Sequence, residues 1–224
     1  METRRHRRQV EVMEPAYKLL TVEDFLDCCP SDQRHYQLFD GIIVAMAPPG
    51  GRHQRIAGVL GGALYNAVQS KLPACAVLVQ AGIAPQGMQG RNYFETDLTV
   101  TCEPQRDDHR GIVREPLLIV EILSPGTDRD DVFIKLPAYQ RIPSLQEILY
   151  VETERIGAIV YRRAEGTWQT INLASGAQLQ LETVGLDIPL TALYRGIPGA
   201  FALSAQSFAI SRAMTRRWMS LVPS

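Results

Sequence analysis

Nowhere does the chain run apolar for the ~18 residues that a membrane-crossing helix needs. The basic cluster Arg4-Arg5-His6-Arg7-Arg8 has no apolar stretch behind it, so it does not read as a secretion signal. Net charge is −1, so the global basic field of a tight non-specific nucleic-acid binder is missing. That leaves room for an enzyme that meets DNA only briefly. The four cysteines, Cys28, Cys29, Cys75 and Cys102, form no CxxC pair and no disulfide framework. They are expected as reduced thiols in a cytoplasmic protein. Cys102 and His109 are two donors where a zinc site needs four. Gly50-Gly51 lacks the Lys-Ser/Thr of a phosphate-binding loop, so no nucleotide cofactor is indicated. Ser124 has no glycine-flanked elbow, which argues against a serine hydrolase. Internal repeats and low-complexity stretches are missing too.

What is present suits one soluble domain. The 224 residues are 46% hydrophobic and 21% charged, enough for one sizeable core and short for two. Residues 1–16 are expected as a flexible basic tail, with a phosphate-binding arm or a start at Met13 as other readings. The domain is expected over 17–199, and 200–224 as a tail or terminal helix.

Thr21 to Leu26 has the pattern of a capped short helix, with Asp24 three residues after Thr21. Tyr36 to Met46 places Asp40-Gly41 between two β-prone runs, which predicts a hairpin with Asp40 in its turn. From His53 to about Leu72, apolar residues recur at three- and four-residue steps, predicting a long helix with His53 at its start. Ala76–Val79 reads as a strand. So does the stretch from Asp97 to Thr101, with Leu98 and Val100 on one face and Asp97, Thr99 and Thr101 on the other. The polar segment 103–114 reads as a loop that returns the chain antiparallel. A helix capped by Thr127 and Asp128 follows, with Asp131, Lys135 and Tyr139 on one face and Pro137 as a kink. Two more strands come next, then an appended meander with turns at Glu165-Gly166 and Ser175-Gly176.

The run Leu117-Leu118-Ile119-Val120-Glu121-Ile122-Leu123 organises the rest. A continuous apolar run ended by Ser-Pro-Gly is a strand covered on both faces, and it carries one carboxylate. Burying that charge costs several kcal/mol unless a cation or donors meet it, about the scale of a desolvated ion. Glu121 therefore reads either as an ion-paired structural acid or as a metal ligand at a strand's carboxyl end. Asp97, Glu121 and Lys135 can share one site. Two carboxylates can hold Mg²⁺, with Mn²⁺ as an alternative, and a lysine can steady the charge on a phosphate under attack. His53, Asp131, Tyr139 and Asp40 are accessory candidates, and His53, Arg52 and Arg129 are candidates for phosphate contacts.

Several stretches carry a resemblance: LTVEDFL (20–26), YQLFDGIIVAM (36–46), RHQRIAG (52–58), VEILSPGT (120–127), DVFIKLPAYQRIPSLQEILYV (131–151) and the end motif at Leu190–Tyr194. In this order they resemble the Uma-type restriction endonuclease family, within the PD-(D/E)XK nuclease superfamily. Thr96 stands where the superfamily motif has proline, and Leu123 where it has lysine. The resemblance implies an α/β (α+β) restriction-endonuclease-like fold, a mixed sheet flanked by helices. It also implies Mg²⁺ dependence, a DNA substrate, and a lysine supplied from the following helix, which falls on Lys135. Ile42 replaces an acid that many relatives carry after the Asp-Gly turn, and the helix at His53 has no glutamate to add a ligand. A homodimer is expected, because cutting both strands favours two-fold symmetry. Two other readings remain: a non-catalytic DNA-binding or regulatory module on the same fold, and a structural dimerising protein in which Asp97, Lys135 and Glu121 form a buried ion network.

Overall fold

In a computed structural model, the described residues are 19–29, 32, 34–104, 111–124 and 130–197, without the side chains of 130 and 131. The expected tail at 1–16, the stretch 200–224, the caps Thr127 and Asp128, Arg129 and the Asp131 side chain lie outside them.

Helix α1 (Val22–Cys28) opens on the predicted capping box: Thr21 Oγ1 accepts from the Asp24 N–H, and Asp24 Oδ2 accepts from the Thr21 N–H. Strands β1 (Tyr36–Phe39) and β2 (Ile42–Ala45) form the predicted hairpin. Its turn residues have φ +45° at Asp40 and +84° at Gly41, as a two-residue hairpin turn requires. A Cβ at Gly41 would also meet Leu19 Cβ at 2.7 Å, so only glycine fits there. Helix α2 (Gly51–Lys71) starts two residues ahead of the predicted His53, with Gly50 as a cap that makes no side-chain bond.

The chain then gives β3 (Ala76–Val79), β4 (Gly82–Ile83), β5 (Phe94–Glu95), β6 (Leu98–Thr101), β7 (Ile112–Val113) and β8 (Pro116–Leu123). Helix α3 (Asp130–Gln140) follows, then β9 (Glu147–Glu152), β10 (Gly157–Ala164), β11 (Thr167–Ala174), β12 (Gln178–Leu181), β13 (Leu186–Pro189) and a short 3₁₀ helix, Leu190–Tyr194.

Six strands make the main sheet in the order β11-β10-β9-β8-β6-β3. Neighbours are antiparallel except β8 and β9, which α3 joins as a parallel crossover. The run around Glu121 is thus an inner strand, as predicted. Its period of two splits the core: Leu118, Val120 and Ile122 pack with Ile56, Leu60 and Leu64 of α2, while Ile119 packs with Tyr139 of α3. Each fully buried side chain of this kind contributes about 1.5–3 kcal/mol.

Some expectations need revision. The predicted C-terminal meander divides: β11 extends the main sheet beside β10, and β12 and β13 form their own hairpin. The polar loop at 103–114 contains β7, which pairs in parallel with β4. The cysteine reading holds only for Cys28 and Cys29. The β3–β6 register pairs Ala76 with Thr101, so Cys75 and Cys102 come face to face and are joined as a disulfide. This removes Cys102 from any zinc pair, and His109 lies outside the described residues.

Helix α3 runs through Pro137 to a firmly held end. The Gln140 carbonyl accepts from Arg163 Nη2 at 3.1 Å and from Trp168 Nε1 at 3.2 Å. Arg163 also donates to the Ile142 and Leu145 carbonyls while its guanidinium lies 4.6 Å from the Trp168 ring centroid. These donors satisfy carbonyls that a helix end leaves open. They also fix the helix that carries Lys135 and Tyr139 over the sheet.

Candidate metal and active site at the end of the central sheet

Glu121 is the sixth residue of β8 and, by strand alternation, points to the α3 side. It is 7% exposed. Two side chains of α3, four residues apart and so on one face, meet its Oε1. Tyr139 donates its hydroxyl at 2.7 Å, and Lys135 approaches with Nζ at 3.4 Å. Lys135 is 5% exposed, and its ammonium sits 5.8 Å from the centroid of the Phe94 ring. The Phe94 ring in turn makes an edge contact with Tyr139.

Asp97 stands immediately before β6, where that strand, β8 and the start of α2 converge. Its Oδ2 accepts the Ile122 backbone N–H at 2.6 Å, tying it to the residue that follows Glu121. Its Oδ1 lies 3.0 Å from His53 Nε2. The carbonyl of Asp97 accepts from the N–H of Gln80, a non-glycine residue at φ +53° where the chain leaves the main sheet for β4. A left-handed residue beside an acid at a sheet end is the kind of local strain that gathers at functional positions.

Asp97, Glu121, Lys135, Tyr139 and His53 are therefore brought together. Asp40 is not: it stays in its turn, 76% exposed at the side chain, and pairs with Arg91 at 3.3 Å. Arg52 pairs on the surface with Glu154 at 3.1 Å. The Asp131 side chain and Arg129 lie outside the described residues. Sequence reasoning missed Phe94, which packs under Lys135, and the backbone N–H of Ile122. A ring packing partner and a main-chain donor leave no pattern in residue type.

The electrostatics are unbalanced. Burial pushes the Glu121 carboxyl up to about 7; the Lys135 charge opposes this, the Asp97 charge adds to it, and hydrogen bonds from Tyr139 and Lys135 oppose it again. Burial, then the Glu121 charge, hold the Tyr139 hydroxyl far above its ordinary range, so it stays a donor. Two carboxylates facing one ammonium leave a deficit of positive charge in a buried place. A divalent cation on oxygen donors would cancel it, so the donor set fits Mg²⁺ or Mn²⁺. Among the described residues no three His, Cys, Asp or Glu side chains converge on one point. Mg²⁺ does not demand them, since it keeps several waters and uses one or two carboxylates.

The fold is thus a mixed sheet between two helices, with an acid pair at its end and a lysine over it. The comparisons make this specific. The model of the Uma2 family, described as "putative restriction endonuclease", matches residues 22–192, and the chain belongs to that family. It is 27% identical over 179 residues to an uncharacterized protein of Synechocystis, covering 80% of this chain and 93% of that one. Its fold is similar to that of a crystal structure from Anabaena variabilis, titled "a putative nuclease belonging to DUF820". The TM-score is 0.64 at 17% identity, over 78% of this chain and 97% of the other. Among the described residues no helix is long and apolar enough to cross a membrane.

Proposed function

We propose that the protein is a metal-dependent DNA endonuclease, with Asp97 and Glu121 holding Mg²⁺ (or Mn²⁺) and Lys135 assisting hydrolysis of a phosphodiester bond. The observation that carries this reading is the buried Glu121, flanked by Asp97 on one side and Lys135 on the other and short of positive charge. When bound, the cation supplies polarisation of a phosphoryl oxygen and acidification of a bound water. The protein's share is positioning. The Ile122 N–H holds Asp97, and the Tyr139 hydroxyl holds Glu121. Lys135 brings a fixed ammonium to the negative charge that grows on the phosphate as the water attacks. Membership in a family described as "putative restriction endonuclease" supports DNA as the substrate. A homodimer, which would place two such sites across a two-fold axis, is part of the proposal.

A second reading has one observation in its favour. Lys135 already pairs with Glu121 at 3.4 Å, as in a self-contained ion network. Added Mg²⁺ would then stabilise nothing.

Incubating supercoiled plasmid with the protein in Mg²⁺ or Mn²⁺, against EDTA, separates the two. The nuclease reading expects metal-dependent nicking or linearisation that Glu121→Gln abolishes and Lys135→Ala slows by about a hundredfold or more. The absence of both cleavage and a metal-induced rise in melting temperature would sink it. Stabilisation without cleavage would favour the non-catalytic DNA-binding alternative.

A further inference from the structure

Two atoms of His53 constrain its role. Nε2 faces Asp97 Oδ1 at 3.0 Å. Nδ1 is buried and, among the described residues, has no hydrogen-bond partner. A neutral imidazole carries one N–H and one bare nitrogen. Placing the proton on Nδ1 would bury a donor that meets no acceptor among the described residues, and would leave the Nε2 lone pair against carboxylate oxygen. Placing it on Nε2 gives a hydrogen bond to Asp97 and leaves Nδ1 as a bare acceptor, the cheaper atom to leave alone. Geometry therefore selects the Nε2–H tautomer.

This decides what His53 does for the site. A separation of 3.0 Å could equally suit two neighbouring ligands on one cation. Yet a ligating histidine almost always donates its other ring N–H to a carboxylate, carbonyl or water. If Nε2 took a metal, the proton would move to Nδ1, which meets no acceptor among the described residues. We propose that His53 is a positioning residue: its Nε2–H fixes the rotamer of Asp97, and the imidazole stays outside the metal's coordination shell. The inference rests on the nuclease reading and deepens it. Asp97 is held from both sides, Oδ2 by the Ile122 N–H and Oδ1 by His53, so its free lone pairs point in one set direction. The donor set stays all oxygen, which suits Mg²⁺ and Mn²⁺ over the nitrogen-seeking later metals. It also moves His53 off the surface that would contact phosphate: its side chain is 13% exposed and already engaged.

The test pairs spectroscopy with a rescue series. Long-range ¹⁵N–¹H correlation spectra of the full chain, with His53 assigned by its loss in His53→Gln, report which ring nitrogen is protonated with and without Mg²⁺. The proposal expects Nε2 to be protonated in both states. In parallel, the Mg²⁺ concentration for half-maximal plasmid cleavage is measured for His53→Gln, His53→Asn and His53→Ala. All three are first matched to the wild type by urea midpoint and circular dichroism. Glutamine carries an N–H donor to about the reach of Nε2, while asparagine stops near Nδ1. Gln should keep near-wild-type Mg²⁺ dependence, whereas Asn and Ala should need at least about tenfold more, the usual cost of losing a partner that orients a ligand. Loss of the Nε2 proton on adding Mg²⁺ would overturn the proposal, as would Gln behaving like Ala. If the wild type shows no response to Mg²⁺ while His53 keeps its Nε2 proton, the nuclease reading fails and the assigned role fails with it. The His53–Asp97 bond alone would then survive.

Discussion

Without metal, the buried Glu121 should make the protein less stable as pH rises. Its carboxyl moves from an ordinary 4.5 to about 7 on folding, because burial penalises the charge more than Lys135 and Tyr139 repay it. Between those values the folded state holds a proton that the unfolded chain has released. The contribution is therefore fully present below about 4.5 and is lost as pH climbs through about 7. At 1.36 kcal/mol per pH unit the loss amounts to about 3 kcal/mol, a large part of a domain's net stability of roughly 5–15 kcal/mol. Urea unfolding in EDTA at a series of pH values from 4.5 to above 8, for the wild type and Glu121→Gln, isolates the effect. Absolute stabilities are not compared, since the variant leaves Lys135 without its partner; the change with pH is. Wild type should lose about 3 kcal/mol more than the variant across the window, and Mg²⁺ should recover most of it by binding the ionised form. Parallel pH profiles for the two proteins would refute the reasoning, because Glu121 would then titrate alike folded and unfolded.

Other predictions follow from single contacts. Tyr139→Phe removes a hydrogen bond to a buried carboxylate and should cost about 1.5–3 kcal/mol in urea unfolding above pH 7, and less where Glu121 is protonated. Thr21→Ala breaks the capping box of α1 and should cost about 1 kcal/mol by the same assay. Thiol titration of the unfolded, unreduced chain should find only Cys28 and Cys29, and adding a reductant should lower stability by about 2–4 kcal/mol as the Cys75–Cys102 link opens. Four reactive thiols before reduction would contradict that pairing.

Much of the fold was legible because it rests on local chemistry. Asp40-Gly41 announces its turn by the backbone angles that turn requires, and Thr21 with Asp24 announces a helix start by reciprocal bonds three residues apart. The run around Glu121 announces an inner strand because only a strand covered on both faces tolerates so many adjacent apolar residues. Lys135 was assigned to the Glu121 site by the resemblance, which takes the lysine from the following helix, and the two side chains do meet. What escaped depended on register between distant segments. Cys75 and Cys102 meet only because β3 and β6 align Ala76 with Thr101, and β7 forms only because a partner strand at Gly82–Ile83 is offered to a polar loop. His53 was legible as a helix-start residue. Its bond to Asp97 requires knowing that α2 begins where β6 begins, and no spacing within one segment encodes that.

The central claim is that Asp97 and Glu121 together hold a divalent cation. Anomalous diffraction from crystals of the protein soaked in Mn²⁺ tests it most directly. The account predicts a peak within coordination distance of oxygens from both carboxylates and no contact with His53 Nε2. A peak bound elsewhere, or none in crystals of a protein that cleaves DNA in the same Mn²⁺ solution, would contradict it.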